Sequence, residues 1–209
     1  MILAGSGGHA RELYDLVSTM KPAGQLFSFE ETETMNALKW GSGVKKLIGH
    51  DALSRHLAVE KQFALAVGNP LLREKFFQLF TEAGGIPESI IADTAVISQL
   101  NVELGAALNI MHFVFISNNV KIGKGVLLNT GCLIHHDCII GEFSEISPNA
   151  TITGNCIIGK KCSIGASATI LPGITIGDNV IVGAGAVVTK NIESNSVVTG
   201  VPAKLIRKN

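Results

Sequence analysis

The chain predicts a small parallel α/β domain followed by an all-β parallel β-helix, and three observations predict it. Every sixth residue from Leu104 through Ile110 and Ile116 to Val188 is Leu, Ile or Val, fifteen positions without an exception. The residue four places beyond each of these is small or aliphatic, with Ser144 the one polar member of its series. Ahead of the repeat lies a short apolar segment, a glycine-rich turn and a helical pattern, the opening of a parallel α/β unit. The boundary is expected between residues 88 and 89, giving domains of 1–88 and 89–209. Among 209 residues, 46% are apolar, 16% charged and 5% aromatic, with 23 glycines. This composition suits a tightly wound β structure and excludes a coiled coil or a disordered tail.

The front domain is read in order. "MILAGSGGHARELYDLVSTM" gives a strand, a glycine turn from Gly5 to Gly8, and a helix toward Met20 that Pro22 stops. A second strand fits Gln25 to Phe29 and a third Gln62 to Gly68. Asn69 and Pro70 then supply an N-cap and a first helical residue, with Gly84 and Gly85 ending that helix. Gly5, Gly7 and Ala10 satisfy the spacing of a dinucleotide turn, with Glu30 about 20 residues on. Ninety residues hold fewer strands than a full dinucleotide domain, so three readings stay open: a nucleotide diphosphate site, a dinucleotide site, or a tight turn. The backbone N–H groups at the helix start favour phosphate in either binding case.

A period of six fits neither a 3.6-residue helix nor a hairpin meander, but it fits a triangular parallel β-helix in which each face takes one hexad and each coil three. The branched residue points inward, the small residue fills the site near a corner, and glycines such as Gly123, Gly141 and Gly159 follow where the chain is expected to turn. Residues three hexads apart then lie one above the other at the sheet spacing of about 4.8 Å. Cys132, Cys138, Cys156 and Cys162 all share the small-residue phase, at separations unsuited to a zinc site, and read as buried core. Net charge is zero, which gives a nucleic acid or membrane surface no electrostatic hold. The start has no basic leader and no apolar run is long enough to span a membrane, so a cytoplasmic protein is expected.

"LIHHDCIIGEFSE" sets two imidazoles where neighbouring repeats carry unremarkable residues. Ile134 faces inward, so His135 and His136 project outward and are not core filler. Histidine titrates near neutrality and suits proton transfer. One coil beyond His136 stands Gly154, a bare backbone stacked beside the imidazole.

On these residues the chain resembles the hexapeptide-repeat, left-handed β-helix acyltransferases, and the ending "VVTGVPAKLIRKN" matches their segment after the last coil. Through "GSGGH", "AVGNPLLREK", "VLLNTGCLIHHDCIIGEFS" and "VTGVPAK" it is similar to the bacterial sugar acyltransferases that include sialic acid O-acetyltransferases and N-acetyltransferases of nucleotide-linked 4-amino-4,6-dideoxy sugars. The resemblance implies the left hand of the winding and transfer of an acetyl group from acetyl-CoA, without a metal. It implies His136 as general base, Asp137 as the carboxylate that orients its ring, and the Gly154 amide as oxyanion donor. His135 is a bystander or a substrate contact. Substrate binding falls on Gly7, Gly8, His9, Glu30, Glu31, Gly68, Asn69 and Asn129. The coenzyme falls on Ala166, Ala184 and Lys204, with Arg207 nearby, and on Glu145, which stands where a relative with a UDP-sugar substrate carries a histidine. A small-molecule nucleotide sugar is the expected partner and a homotrimer the expected assembly.

The amino group of a nucleotide-linked sugar is the first acceptor expected, and a hydroxyl of sialic acid or a related sugar the second. Two other classes share the prism. A zinc enzyme would use three histidines at an interface, yet the step from His112 to His136 is four hexads, which is not a whole number of coils. A non-catalytic scaffold would be indifferent to His136.

Overall fold

The computed structural model describes residues 1–20, 26–32 and 44–209, in two compact units: Met1–Gly68 with Leu72–Ile90, and Ile91–Asn209 with Asn69–Leu71. In the first unit β1 (Ile2–Ala4), α1 (Gly8–Met20), β2 (Phe27–Glu30), β3 (Lys45–Ile48), α2 (Gly49–Leu57), β4 (Gln62–Leu65), α3 (Pro70–Glu82) and β5 (Ile86–Pro87) follow in order. All strands are parallel, in the order β3-β2-β1-β4-β5. The chain order thus reverses between β1 and β4, the switch point where α/β sheets open a crevice. Ile2, Leu3, Phe63, Ala64 and Leu65 are fully buried, and the Phe80 ring packs on Phe29 and Phe63 at 5.1 and 4.8 Å between centroids.

The expected first and third strands and both helices are present, and Asn69 caps α3 by accepting the Leu71 N–H at 3.0 Å. The second strand is present at Phe27–Glu30; its expected start at Gln25, and the expected helix stop at Pro22, lie outside the described residues. The structure adds β3, α2 and β5. β3 is an exposed edge strand beginning Lys45–Lys46, and lysine on an edge both hides the strand from a hydrophobic pattern and deters pairing with other chains.

In the second unit, two-residue strands recur from Ile90–Ile91 to Val187–Val188 on three faces, forming the left-handed parallel β-helix. Ile116, Ile134, Ile152, Ile170 and Val188 pair in one column, each exactly three hexads beyond the last. From Ile110 onward every sixth-residue aliphatic is at most 4% exposed. Each such burial contributes about 1.5–3 kcal/mol relative to exposure. Leu104 is 39% exposed because its strand ends its face. The small series from Leu108 to Ala186 is buried too, and Ser144 is satisfied there: its Oγ donates to the Gly159 carbonyl at 2.8 Å and accepts the Cys162 N–H at 2.9 Å. The four cysteines are free thiols in the core.

The corners correct one expectation. The left-handed residue is the third after each aliphatic, as at Asn119, Asp137 and Asn155 with φ of 54°, 61° and 61°. The glycine directly after the aliphatic serves close approach instead: a Cβ on Gly141 would sit 2.5 Å from the Gly159 carbonyl carbon. The second corner residue has a separate property, since its N–H stays out of the ladder between coils. Proline occupies this place at Pro148 and Pro172, which shows that the fold does not need the donor.

The coil length also varies at the ends. Ile97 pairs with Ile116, so that coil is one residue longer than the regular ones. Ile176 pairs with Ile192 and Val182 with Val198, so the last coil is two residues shorter. Ile192, expected in the small corner series, therefore stands in strand phase. The chain closes with the antiparallel pair Ser196–Thr199 and Lys204–Lys208.

Candidate active site

In the first unit the carboxyl ends of β1, β2 and β4 open a cleft of about 280 Å³ lined by Gly5, Ser6, Gly7, Glu30, Glu31 and Val67, among others. Gly5 must be glycine: its φ is +138° and a Cβ would meet the Ala66 carbonyl oxygen at 2.6 Å. Gly7, Gly8 and Gly68 differ, because a Cβ on any of them would meet nothing within 4 Å. Packing does not demand these three glycines, which leave the backbone bare at the start of α1 and again after β4. His9 Nδ1 lies 3.4 Å from Glu12 Oε2, while its Nε2 is buried without a hydrogen-bond partner in the protein. Glu30 is buried in an ion pair with Lys46 at 3.2 Å, and Glu31 meets Lys75 at 2.7 Å. Neither lysine was among the sequence candidates, because nothing in their spacing links them to the cleft.

In the second unit the sequence-expected catalytic group is assembled at one edge of the prism. His136 and Asp137 follow the strand Leu133–Ile134, and Gly154 follows Thr151–Ile152 one coil on. His136 Nδ1 and Asp137 Oδ2 are 2.7 Å apart, so the aspartate arm reaches the ring. The hydrogen bond from His136, followed by one from Asn119, holds the Asp137 carboxyl below its ordinary range. An ionised Asp137 accepts the Nδ1 proton and leaves Nε2 of a neutral ring with its lone pair free. A Cβ on Gly154 would lie 2.5 Å from both His136 Cε1 and Nε2, so the ring rests directly on this glycine. Gly154 is a second corner residue, and its N–H makes no ladder bond. A base and a spare backbone donor thus share one edge. That is the minimum equipment for acyl transfer.

His135 takes another part. Its N–H joins the ladder to Ile152, and its ring packs 6.0 Å from that of Phe115.

Asn129, Glu145, Ala166 and Ala184 are not brought to the histidine edge within one chain. Asn129 begins the preceding edge, where its Oδ1 accepts the Thr130 N–H at 2.8 Å. Ala166 and Ala184 are exposed one coil apart on that same edge, and as second corner residues both keep their N–H groups out of the ladder. Glu145 stands on the face leading to it and accepts the Ser147 hydroxyl at 2.8 Å. Lys204 and Arg207 lie exposed in the last strand. Among the described residues, no group of three His, Cys, Asp or Glu is placed to hold a metal ion. His112, one of the three histidines of the zinc reading, engages Thr94 Oγ1 at 2.8 Å.

The sequence missed Asn119, whose Nδ2 donates to Asp137 Oδ1 at 3.0 Å, and Asn101 behind it. Counting back one coil from Asp137 would have found Asn119.

Comparison with known proteins bears on both units. Residues 1–80 match the family described as PglD N-terminal domain, and residues 119–154 and 155–190 match bacterial transferase hexapeptide (six repeats). Among solved structures, PerB from Caulobacter crescentus in complex with CoA and GDP-perosamine is 27% identical with a TM-score of 0.88, over 99% of this chain and 96% of that one. The acetyltransferase domain of PglB from Neisseria gonorrhoeae FA1090 is 26% identical with a TM-score of 0.89, over 98% of each chain. WeeI from Acinetobacter baumannii AYE is 27% identical with a TM-score of 0.85, over 99% of this chain and all of that one. Matched in its front domain and in its repeat, and along nearly its whole length by solved sugar acetyltransferases, the chain belongs to the bacterial sugar acyltransferases of the hexapeptide-repeat, left-handed β-helix type.

Proposed function

We propose that the chain transfers an acetyl group from acetyl-CoA to the amino group of a nucleotide-linked 4-amino-4,6-dideoxy sugar, with His136 as general base. The observation that carries this is the His136–Asp137 pair, 2.7 Å apart, seated on the bare backbone of Gly154. As the sugar amine attacks the thioester carbonyl, His136 Nε2 takes the proton that the amine loses. The Gly154 N–H donates to the oxygen that gains charge, and Asp137 stabilises the imidazolium. When the carbon–sulfur bond breaks, the imidazolium returns its proton to the departing thiolate. Gly7, Gly8 and the α1 N-terminus hold the nucleotide diphosphate, His9 Nε2 supplies a further polar contact, and Gly68 and Asn69 border the sugar. Glu30 and Glu31 face the nucleoside. The solved relatives bound to GDP-perosamine and to acetyl coenzyme A support both halves of this reading.

The division of site residues between two edges supports a homotrimer. The histidine edge of one copy would face the neighbour's edge, where the Ala166 and Ala184 amides and Asn129 receive the pantetheine arm, Glu145 lies toward the acyl end, and Lys204 meets the coenzyme phosphates. Ile139 and Ile157, exposed one above the other at 43% and 44%, give such an assembly an apolar face to cover. The cytoplasm, which supplies acetyl-CoA, is the compartment this reading requires. No described helix is long and apolar enough to cross a membrane.

The test is CoA release from acetyl-CoA with UDP-, GDP- and dTDP-linked 4-amino sugars and with free sialic acid. Turnover with one nucleotide-linked amine is expected, and His136→Ala should lower it by ~10² to 10⁴. Turnover confined to sialic acid would replace the amine by a hydroxyl, and a fully active His136→Ala would remove the base.

A further inference from the structure

We propose that Asn119, held by Asn101, is a positioning residue that fixes the Asp137 carboxylate and through it the tautomer of His136. The inference rests on the reading of His136 as the base.

The three residues form one column at the histidine edge, each with a left-handed backbone at φ of 52°, 54° and 61°. That conformation alone accounts for asparagine or aspartate at these places. It does not account for where the side chains go. Asn101 Nδ2 donates to Asn119 Oδ1 at 3.0 Å, and Asn119 Nδ2 donates to Asp137 Oδ1 at 3.0 Å. The column therefore has a direction. The carboxylate only accepts, so it selects the amide orientation in which Asn119 presents N–H to it and turns its Oδ1 to the Asn101 donor, whereas the reversed amide would set oxygen against oxygen at the carboxylate. Asp137 is left with Oδ1 on Asn119 and Oδ2 on His136 Nδ1, so its plane is fixed from both sides. A carboxylate fixed in this way accepts the Nδ1–H hydrogen bond of the ring and keeps Nε2 as the basic nitrogen. Among the described residues, the ion pair of the His136 ring is with Asp137.

A second amide link of the same kind supplies the control. Asn179 Nδ2 donates to Asn195 Oδ1 at 2.8 Å on another edge, with Asn179 at φ 55°. Glycine keeps a positive φ and removes only the amide. In the full-length enzyme, Asn119→Gly is expected to lower kcat about tenfold, the low end of what outer partners of an oriented histidine supply in metal sites. KM for acetyl-CoA should stay within about twofold, since ground-state binding is untouched. The acid limb of kcat/KM should move to higher pH, because Asp137 without its amide donor presents a fuller charge to the ring. Asn119→Asp, of the same shape but setting a second carboxylate beside the first, should move the limb further in the same direction. Asn179→Gly should move neither. A wild-type kcat and pH profile in Asn119→Gly, or equal changes in Asn179→Gly, would overturn the proposal. His136→Ala measured alongside separates the two readings: if it is inactive while Asn119→Gly is unchanged, only the column fails, and if it is fully active the base itself fails.

Discussion

In the proposed mechanism Gly154 is the residue on which the geometry turns. A methyl group there would lie 2.5 Å from the His136 Cε1 and Nε2 atoms, well inside contact distance. Gly154→Ala should therefore swing the ring away and lower kcat by about 10²-fold or more, the scale on which misplaced catalytic groups act, with an unchanged circular dichroism spectrum; wild-type turnover would contradict the geometry. Asp137 is set by two demands at once, a left-handed backbone and a hydrogen bond to the ring. The stacking of Gly154 beside an outward His136 was legible in the sequence because the repeat fixes which residues face outward and which lie one coil apart, whereas the choice of His136 over His135 and the part given to Asp137 came from the family resemblance. Asn119 was not singled out, since its type is common in left-handed corners and the direction of its amide is a three-dimensional fact. The partners of Glu30 and Glu31 were likewise hidden, as Lys46 and Lys75 reach them from β3 and α3, which chain spacing does not connect.

At the scale of the element, the prism was legible because one period governs it, while the front domain mixes several. Hexad arithmetic places the interior residues from Ile110 to Val188, but not the long first coil or the short last one, where one inserted or two missing residues shift the phase. In the front domain α2 went unread although Leu53 and Leu57 form its buried stripe, two apolar residues being too few to separate a short helix from a loop. Within the prism Ser144 carries a testable load. Ser144→Ala would strip the acceptor from the buried Cys162 N–H and the donor from the Gly159 carbonyl, at a cost of about 1–3 kcal/mol. A lowered Tm is expected, and an unchanged one would contradict the role given to the hydroxyl.

For the whole molecule, the proposed trimer would make assembly part of the chemistry, because the histidine and alanine edges are separate within one chain. If each site takes His136 from one copy and the Ala184 edge from the next, two inactive variants, His136→Ala and Ala184→Trp, should complement each other when co-expressed. A random trimer of equal parts restores about a quarter of the intact sites; no recovery, or a monomer on sedimentation, would return the whole site to a single chain. The base and its backbone neighbour are joined by one complete circuit of the spiral and by no loop, and this ties the chemistry to circuit length. Losing a single hexad between them would carry the glycine a third of the way around the axis and leave the imidazole over a different corner. Adding a whole circuit ahead of Asn101 would lengthen the molecule and keep every partner at this edge in place.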